Sequence, residues 1–479
     1  MNLNDLVKNS LTIHIVGIGG VGMSGIAKIL HKKGLKVQGS DLSQNYYIDS
    51  LKDLGITVFH DHKEDNLKNC DLIVKSSAIK DDNPELKYAN LHDIPVVKRS
   101  TMLTAIVADH KAITVTGTHG KTSVTALIFT ILSKAGIDPS VLNGGWINSI
   151  SSNAYLGGSN YFCTEADESD GTFLELNSNI GIITNIESEH MDFYGTIANL
   201  ESAYEKYALT AMSNDLCIYC YDCIKSRKLL SKYSNKETLI NYGFEEGSDL
   251  RAVNLKSTKN GVSFDILISN HKFHTLPRKI EDIRINSFGR HNILNSIAAI
   301  IVALHLKISL SDIREGLLSY EGVKRRFSQI ASINNIMFID DYAHHPTEVQ
   351  ATLNTAKQLV KSTGGKIIAI LQPHRYSRLK SLWHEFICSL KDADISIITD
   401  VYSAGEAPLN NIDGKNLANQ IEKYKKNDSH SQVFYCSDLK KELLSLLYKI
   451  VRSGDYVVFM GAGDITSCAK YITEHFQCT

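Results

Sequence analysis

Several signals that mark particular classes of protein are missing from this chain of 479 residues. No apolar run reaches the ~18 residues that a membrane-spanning helix needs, and the first segment, MNLNDLVKNS, lacks the basic and apolar parts of a signal peptide. These absences predict a cytoplasmic protein without a membrane span. The formal net charge is -1 and no long basic run occurs, so we expect no nucleic-acid partner.

A disulfide framework is also absent, because the nine cysteines show no disulfide spacing and their number is odd. Cys217, Cys220 and Cys223 have the C-x-x-C-x-x-C spacing of an iron–sulfur ligand set, but the fourth ligand expected three residues further on is missing. The run LCIYCYDC mixes these cysteines with Leu, Ile and Tyr, as a buried strand does. We therefore predict a buried strand here and no cluster.

No internal repeat, low-complexity tract or proline-rich linker divides the chain, so domain boundaries follow from the order of predicted elements. At roughly 100–200 residues per domain, the length suggests three domains. Short apolar strands alternate with helices, which predicts an α/β fold with parallel sheets. We expect a Rossmann-like domain at 1–107, a P-loop ATPase-like domain at 108–322 and a Rossmann-like α/β domain at 323–479.

The strongest element signals are short apolar strands and one apolar helix that we expect to be buried. The predicted strands include 12–18, 71–79, 94–99, 111–117, 161–167 and 180–186, and the predicted helix covers 294–306.

The first glycine loop fits a dinucleotide-binding fingerprint. Gly17, Gly19 and Gly22 form G-x-G-x-x-G between a strand and a helix, and Asp41 follows 19 residues after Gly22. Alone, this pattern indicates an NAD enzyme. A UDP-sugar also carries a pyrophosphate, which a glycine loop and a helix N-terminus bind equally well. The loop, including Gly20, therefore predicts diphosphate binding without establishing a nicotinamide.

A second glycine loop is more specific. Residues 114–123 read TVTGTHGKTS and join a β-branched strand to a helix. Backbone amides there can cradle phosphates, Lys121 can reach the β and γ oxygens, and the Thr122 hydroxyl can bind Mg²⁺. Val115 stands where the full Walker pattern has glycine, so this is a shortened relative of the P-loop.

Carboxylates for a magnesium ion follow the next two strands. Residues 165–170, EADESD, supply four of them, and the cluster 187–192 contains His190. Mg²⁺ prefers oxygen ligands and keeps several waters, so one or two carboxylates suffice. A solvated acidic turn and an ordinary hydrogen-bonded histidine are the alternative interpretations.

Two further polar clusters have both functional and structural interpretations. Asn292 and Asn295 lie one helical turn apart, where carboxamides suit adenine but also serve as helix caps. Lys324, Arg325 and Arg326 suit phosphoryl oxygens but equally fit a solvated linker.

The third block has two polar segments, residues 340–348 and 372–378, which we expect at adjacent strand ends around a binding mouth. Their arginines and histidines suit a small carboxylate ligand. Zinc is weakly supported, because the neighbouring His344 and His345 seldom converge on one metal without further ligands.

Taken in order, these segments resemble the Mur ligases. The resemblance rests on GTHGKTS, EADESD, HMDFYG, GRHNILN, RRF, DDYAHHPTE, PHRYSR and DVYSAGE, and it runs from GIGGVGMSGIA to MGAGDI. It implies that the first domain binds a UDP-sugar, the second binds ATP with Mg²⁺ or Mn²⁺, and the third holds an amino acid. The implied substrates are UDP-N-acetylmuramate and L-alanine, joined through an acyl phosphate in peptidoglycan precursor synthesis. No oligomeric state follows from it.

The resemblance also implies residue roles. Lys121, His190 and Arg326 are the expected catalytic residues, and Thr122, Glu165 and His190 the metal ligands. The remaining expected residues fall into three groups. For ATP these are Gly117, Thr118, His119, Gly120, Ser123, Asn292, Asn295, Asp340 and Asp341; for the UDP-sugar, Gly17, Gly19, Gly20, Gly22 and Asp41; for the amino acid, Tyr342, His344, His374, Arg375 and Arg378.

Departures from the family pattern are few. Ser123 stands where threonine is usual, which keeps the hydroxyl, and the segment KRSTML has serine where alanine commonly follows the arginine. Residues 220–285 match the family only loosely.

Other functions remain open on the sequence. One rival is a ligase that joins a murein tripeptide to the same UDP-sugar, and another is a folylpolyglutamate synthase, although such enzymes begin with the ATP domain. An NAD-dependent oxidoreductase would explain residues 13–41 but would leave the second phosphate loop without a purpose. A nucleotide-binding switch would not need the polar third domain.

Overall fold

The computed structural model describes residues 11–258, 260–425 and 431–476. The chain divides into two compact units, the first ending at Gly322 and the second beginning at Val323. Three sheets lie in these units, and most of their strand pairs are parallel, which confirms the α/β prediction. In the described part of the chain, no helix is both long and apolar enough to cross a membrane.

The first sheet has five parallel strands in the order β3-β2-β1-β4-β5. The strand order reverses between β1 and β4. Ligands of α/β sheets bind at such a topological switch point, beyond the carboxyl ends of the strands. The strands are β1 Thr12–Val16, β2 Lys36–Ser40, β3 Thr57–Phe59, β4 Leu72–Lys75 and β5 Val96–Lys98; the helices are α1 Val21–Lys32, α2 Tyr46–Asp53, α3 Pro84–Leu91 and α4 Arg99–Val107.

Three predicted strands of this sheet are longer than the observed ones. β1 ends two residues early and β5 is shorter at both ends, and the largest difference is in β4. β4 ends at Lys75, four residues before the expected end. The chain turns there, closed by the Ile79 N–H donating to the Ser76 carbonyl at 3.1 Å. Gly17 of the first glycine loop packs against this turn, and a Cβ added to Gly17 would lie 3.1 Å from the Ser76 Cβ.

The second sheet has ten strands in the order β15-β14-β13-β12-β11-β10-β6-β9-β7-β8. Its strands are β6 Lys111–Thr116, β7 Ser140–Ile147, β8 Ser152–Tyr155, β9 Tyr161–Glu165, β10 Ile180–Ile183, β11 Leu216–Cys220, β12 Leu239–Gly243, β13 Leu250–Ser257, β14 Val262–Ile268 and β15 Lys279–Ile285. Its helices are α5 Lys121–Lys134, α6 Met191–Tyr194, α7 Ile197–Asn214, α8 Ile224–Leu230, α9 Arg290–His305 and α10 Leu310–Leu318.

Two predictions about this sheet are confirmed. The apolar helix α9 is buried along most of its length, although it begins at Arg290, four residues before the predicted start. Cys217 and Cys220 lie on the fully buried strand β11. Three positions apart on a strand, their side chains point to opposite faces and cannot converge on one cluster.

The first two sheets are joined through α1. A Cβ added to Gly25 would lie 3.2 Å from both Asn153 Nδ2 and Leu142 Cγ, so the helix packs closely on the β7–β8 hairpin. Asn153 Nδ2 donates to the Val21 carbonyl at 2.6 Å, and Lys28 Nζ donates to Asn153 Oδ1 at 2.9 Å. The helix that follows the first glycine loop is therefore fixed to the sheet that carries the second.

The second unit contains a six-stranded sheet in the order β16-β17-β21-β18-β19-β20, in which only β16 is antiparallel to its neighbour. Its strands are β16 Ser328–Ile333, β17 Ile336–Asp341, β18 Ile367–Leu371, β19 Ile395–Thr399, β20 Gln432–Cys436 and β21 Tyr456–Met460. Its helices are α11 Pro346–Thr363, α12 Tyr376–Ser381, α13 Trp383–Ser389, α14 Gly414–Lys425, α15 Lys441–Ile450 and α16 Ile465–His475.

The expectation that the two polar segments of this unit follow adjacent strands is wrong. They follow β17 and β18, and β21 lies between them. The last strand of the chain inserts into the middle of the sheet, a long-range pairing that local periodicity does not encode.

Candidate active site

The second glycine loop lies between β6 and α5, and two of its glycines are required by geometry. Gly117 has φ 127° and Gly120 has φ 87°, a region that strongly favours glycine. A Cβ on Gly117 would collide with Thr184 Oγ1, and one on Gly120 would lie 2.8 Å from Asn295 Oδ1. The loop is therefore held closely by the strand end after β10 and by α9.

Asn185 fixes the loop from the side, a role that the sequence did not suggest. The backbone N–H of His119 donates to Asn185 Oδ1 at 2.9 Å, and that of Thr118 donates to the Asn185 carbonyl at 3.2 Å. These two amides are thus engaged within the protein. The first-turn amides of α5, at Lys121, Thr122 and Ser123, have no acceptor within their own helix and remain suited to phosphate.

Lys121 meets a buried carboxylate, that of Glu168. Its Nζ lies 2.8 and 2.9 Å from the two Glu168 oxygens and donates to the Gly117 carbonyl at 2.5 Å. Burial raises the pKa of Glu168 even beside this ammonium, whereas for Lys121 the surrounding carboxylates outweigh burial and raise its pKa. Lys121 is therefore a permanent cation at the helix N-terminus.

The three expected metal ligands surround this loop. β9 and β10 pair with β6 on its two sides. Glu165 ends β9, His190 lies in the segment after β10, and Thr122 lies in the first turn of α5. His190 has φ 57° and places its Nε2 3.8 Å from Glu168 Oε1. Glu165 Oε1 accepts the Gly144 N–H at 2.6 Å. Glu168, one of four carboxylates in its segment, thus lies between Lys121 and His190.

The two asparagines of α9 have different surroundings. Asn292 Nδ2 donates to the Phe288 carbonyl at 2.8 Å, and it does not cap the helix, whose N-cap residue is Gly289. Asn295 lies beside Gly120 and its Nδ2 is 3.5 Å from Asn292 Oδ1. The two asparagines share one face of the helix, as predicted, and Asn295 is the one that borders the second glycine loop.

Arg99, which the sequence did not single out, connects the surroundings of the two glycine loops. Its Nη2 lies 3.2 Å from Asp167 Oδ2 and 3.3 Å from Asp170 Oδ2, and a Cβ on Gly22 would lie 3.3 Å from its Nη1. Burial would raise the pKa of Asp167, but the charges of Lys121 and Arg99 lower it to about 2. Asp167 therefore stays ionised between two cations.

The first glycine loop is closed by Asp41. The Gly19 N–H donates to Asp41 Oδ2 at 2.8 Å, and Ser43 donates its N–H and hydroxyl to Oδ1 at 2.9 and 2.6 Å. Gly17 has φ 79°. Gly20 precedes α1 and Gly22 lies in its first turn, so the loop meets a helix N-terminus as predicted.

In the second unit, Asp340 and Asp341 end the buried strand β17. Asp341 accepts the N–H groups of Phe327 and Ala343, both at 2.7 Å, and burial raises its pKa to about 6. Asp340 Oδ2 accepts from the Thr466 hydroxyl at 2.6 Å, and within the described residues its buried Oδ1 has no hydrogen-bond partner. Asp341 thus supports its own loop, whereas Asp340 is bound to Thr466 of α16.

Arg325 and Arg326, which precede β16, contact other residues of the second unit. This differs from the solvated linker that was the alternative interpretation. Arg325 has φ 62° and its Nη2 donates to the Gly461 carbonyl at 2.5 Å. Arg326 lies 3.7 Å from Glu348 Oε1, and its guanidinium is 5.4 Å from the centre of the Tyr342 ring.

Four of the five residues expected around the amino acid lie together. The ring centres of Tyr342 and His344 are 5.3 Å apart, those of His344 and His374 are 5.9 Å apart, and Arg378 Nη1 lies 3.3 Å from His374 Nδ1. His374 also stacks on Tyr402, with ring centres 5.5 Å apart. Burial, with the charges of His344 and Arg378, lowers the pKa of His374 to about 3, so its ring is neutral.

Arg375, the fifth residue, is exposed at the start of α12 and has φ 68°. Its backbone N–H donates to the Tyr402 carbonyl at 2.8 Å, which holds this left-handed conformation. Next to it, Ser377 donates its N–H and hydroxyl to the two oxygens of Glu406 at 3.0 and 2.6 Å. Tyr402 and Glu406 belong to the segment DVYSAGE, so this motif supports the loop that carries Arg375.

The first unit thus contains the second glycine loop, with a fixed ammonium and flanking carboxylates, and the first glycine loop, which Arg99 connects to it. Such groups position and neutralise phosphoryl oxygens, which is most of what phosphoryl transfer requires.

Comparisons with known proteins agree with this arrangement. Residues 12–111 match the model of the Mur ligase family, catalytic domain, residues 115–303 match the Mur ligase middle domain, and residues 325–463 match the Mur ligase, glutamate ligase domain.

Two curated relatives and two solved structures illustrate the similarity. The UDP-N-acetylmuramate–L-alanine ligases of Rickettsia felis and Rickettsia typhi are 43% and 44% identical to this chain over 96% of its length, covering 95% and 91% of theirs. The UDP-N-acetylmuramate–alanine ligase structure from Thermotoga maritima has a TM-score of 0.81 and 28% identity, covering 98% of this chain and 99% of that one. A murein peptide ligase structure from Psychrobacter arcticus, at 21% identity and TM-score 0.69 over 98% and 100% of the two chains, shares the fold. The chain therefore belongs to the Mur ligase family.

Proposed function

We propose that this ligase joins the carboxylate of UDP-N-acetylmuramate to the amine of L-alanine at the expense of ATP, in the synthesis of peptidoglycan precursor. The observation that carries the proposal is the 43–44% identity, over 96% of the chain, to two UDP-N-acetylmuramate–L-alanine ligases. Two glycine loops in one unit, the second of them carrying Lys121, are the arrangement that a reaction between ATP and a UDP-sugar needs.

The proposed reaction has two steps. The muramoyl carboxylate attacks the γ-phosphorus of ATP, ADP leaves, and an acyl phosphate forms. The L-alanine amine then attacks the acyl carbon, and the tetrahedral intermediate releases inorganic phosphate and the amide. A carboxylate is a poor electrophile, so phosphorylation supplies the leaving group that the second step requires.

The phosphate loop supplies the charge neutralisation in the first step. Lys121 is expected to bind the β and γ oxygens, and the first-turn amides of α5, with Gly120 before them, to bind the remaining phosphate oxygens. Arg326 is expected to contact a phosphoryl oxygen, and Asn292, Asn295, Asp340 and Asp341 to contribute to nucleotide binding. Of these, Asp340 is supported most directly, by its unpartnered buried oxygen.

A divalent cation fits the residues around this loop. Thr122, Glu165 and His190 offer a hydroxyl, a carboxylate and an imidazole, a mainly hard donor set that suits Mg²⁺ or Mn²⁺. Glu168 brings a further carboxylate between Lys121 and His190. When bound, the cation would neutralise charge on the β and γ phosphates.

The proposed division of labour follows three domains, at 1–107, 108–322 and 323–479. The first would bind the UDP-sugar through Gly17, Gly19, Gly20, Gly22 and Asp41, and the last would bind L-alanine through Tyr342, His344, His374, Arg375 and Arg378. A cytoplasmic location remains a prediction.

The test is phosphate release from ATP and Mg²⁺ with UDP-N-acetylmuramate and single amino acids. Release that needs both the sugar nucleotide and L-alanine is the expected result. Release with the L-alanyl-γ-D-glutamyl-diaminopimelate tripeptide but not with L-alanine would identify a murein peptide ligase. Absence of release with every acceptor, accompanied by absorbance change of a nicotinamide, would replace the proposal by an oxidoreductase.

A further inference from the structure

A wholly buried carboxylate lies in the first sheet and has no part in the proposed chemistry. Glu85, in the first turn of α3, is 0% exposed. Its Oε2 accepts from the Ser40 hydroxyl at 2.6 Å and lies 3.0 Å from His62 Nδ1, while its Oε1 accepts from Asn66 Nδ2 at 2.9 Å. The equally buried His14 places its Nε2 3.3 Å from Oε1.

The carboxylate is ionised in the folded protein. Burial would raise the pKa of Glu85, but the adjacent His14 ring and the hydrogen bonds from Ser40 and Asn66 reverse this effect and lower it. The helix N-terminus of α3 favours the negative charge as well. Burying an ion is costly unless it is fully paired, so a chain that keeps one needs it for a definite arrangement.

The residues that pair with Glu85 also support the first glycine loop, through Ser40. The Ser40 carbonyl accepts the N–H groups of Gly17 and Ile18, at 2.8 and 3.1 Å. The Ser40 hydroxyl is the group that Glu85 binds. The carbonyl of Ser40 is thus fixed by the first glycine loop, and its hydroxyl by the buried carboxylate of Glu85.

The hydrogen bonds assign the protons of both histidines. The single Ser40 hydroxyl proton goes to Glu85, so the Ser40 oxygen, 2.9 Å from His62 Nδ1, accepts from that nitrogen. His62 Nδ1 therefore carries a proton, shared between Ser40 and Glu85. His14 Nδ1, 3.3 Å from Gln38 Nε2, is the acceptor of its ring, which puts the His14 proton on Nε2.

His62 is the member of this network that reaches the surface. Its side chain is 13% exposed, whereas those of His14 and Glu85 are 0% exposed. It follows β3 at the carboxyl edge of the sheet, beside Asp41, whose N–H donates to the Phe59 carbonyl at the end of β3. With Nδ1 engaged inside, Nε2 is the ring nitrogen left for an anion at this edge.

We propose that Glu85 is a positioning residue for sugar-nucleotide binding: its buried carboxylate holds Ser40 against the first glycine loop and holds His62 with Nδ1 inward, so that His62 serves the diphosphate. This inference rests on the proposed function, since it assumes that the first loop binds the diphosphate of UDP-N-acetylmuramate. A carboxylate paired with Nδ1 fixes the orientation of the imidazole, and a second proton, on Nε2, would make that nitrogen a charged donor to a phosphate oxygen.

The test is calorimetric binding of UDP-N-acetylmuramate without ATP or amino acid, to wild type, Glu85→Gln, His62→Gln and the double variant. Glu85→Gln keeps the shape of the side chain but removes its charge, and should weaken binding roughly tenfold, the effect expected for a hydrogen bond to a charged group. Because Glu85 acts through His62, the double variant should bind no more weakly than the weaker single variant.

Asp71→Asn is the matched control. Asp71 Oδ2 accepts the Thr12 N–H at 2.7 Å, at the opposite end of β1. This substitution should leave the affinity for UDP-N-acetylmuramate unchanged. The Michaelis constant for ATP, measured in parallel, should stay within twofold of the wild-type value in all four variants.

A second readout does not depend on the stability of Glu85→Gln. In wild type labelled with ¹⁵N-histidine, the His62 ring signals, assigned by their loss in His62→Gln, should show a protonated Nδ1. UDP-N-acetylmuramate should shift Nε2 of His62 toward the protonated form and leave His14 unchanged.

The possible failures are distinguishable. If wild type does not bind UDP-N-acetylmuramate, the proposed substrate is wrong. If wild type binds it and Glu85→Gln binds it equally well, or loses only thermal stability, Glu85 serves folding alone and this inference is overturned. An additive double variant, or an unshifted His62 signal, overturns it as well.

Discussion

Both carboxylate oxygens of Glu168 lie within hydrogen-bonding distance of Lys121 Nζ, at 2.8 and 2.9 Å. The Glu168 side chain is 3% exposed and that of Lys121 17% exposed, so the pair is largely shielded from water. The phosphates of ATP are expected to bind the same ammonium. Breaking the ion pair should therefore change both the stability of the loop and the stability gained when ATP binds.

Lys121→Met should reduce phosphate release by about 10²-fold or more, because it removes the charge that stabilises the transferred phosphoryl group. Turnover with L-alanine and UDP-N-acetylmuramate is the measurement. Lys134→Met, in the last turn of the same helix, is the control and should retain activity. Equal activity of the two variants would contradict the assigned role of the loop.

Glu168→Gln should lower the stability of the first unit by about 3 kcal/mol, since breaking a buried ion pair leaves its partner uncompensated. Saturating MgATP analogue should recover more stability in this variant than in wild type, because phosphate replaces the missing anion. Thermal unfolding with and without the analogue measures both effects. A nucleotide-induced shift no larger than that of wild type would show that Lys121 does not use this carboxylate as its resting partner.

Arg99→Met should raise the Michaelis constants for both nucleotides, by roughly tenfold each, since the charge lost is worth one or two hydrogen bonds to ions. The reason is that Arg99 borders Gly22 on one side and holds Asp167 beside the Lys121 loop on the other. Lys98→Met, at the exposed neighbouring position, should change neither constant. An effect on one nucleotide alone would mean that Arg99 serves a single site.

The stability of the second unit should depend on pH through Asp341. Its pKa is about 6 in the folded protein and near 3.8 when exposed, so the folded state binds the proton more tightly than the unfolded state. The stabilisation from this proton is complete below about pH 4 and is lost as pH rises to about 6, a change of about 3 kcal/mol for a shift of this size.

Asp341→Asn removes that titration. The stability of wild type relative to Asp341→Asn should therefore fall between pH 4 and pH 6.5 and then stay constant. Trp383 is in the second unit and Trp146 in the first, so Trp383 fluorescence in a Trp146→Phe background reports the second unit during urea unfolding. A relative stability that rises across this range would refute the assignment.

Arg375→Ala should raise the Michaelis constant for L-alanine at least about tenfold, as loss of a charge-assisted contact to a carboxylate would, and should leave that for UDP-N-acetylmuramate unchanged. Lys391→Ala, exposed after α13, is the control. If the two variants have the same constant for L-alanine, the polar cluster of the second unit has another role.

The sequence predicted the strands and loops of this site better than the residues that pack against them. Each strand before a polar segment was found, because apolar runs and glycines are local signals. The partners of those segments were not found: Asn185, Arg99 and Glu85 lie far along the chain from the loops that they support. Their roles come from strand order and helix packing, which single-sequence periodicity does not contain.

The same reason explains the position of β21. Its apolar run was evident, but its insertion between β17 and β18 depends on pairing across more than eighty residues. The cluster of Tyr342, His344 and His374 still forms, because the loops after β17 and β18 extend toward each other beyond the strand ends.

The order of the central sheet also has a practical consequence. The antiparallel strands β13, β14 and β15 form its far edge, and β10, β11 and β12 separate them from β6. At about 4.8 Å per strand, β13 lies roughly 19 Å from β6, the strand that leads into the second glycine loop. A fluorescent tag attached at the exposed His271, in the segment between β14 and β15, should therefore leave the catalytic geometry undisturbed, which makes this edge suitable for engineering a reporter enzyme.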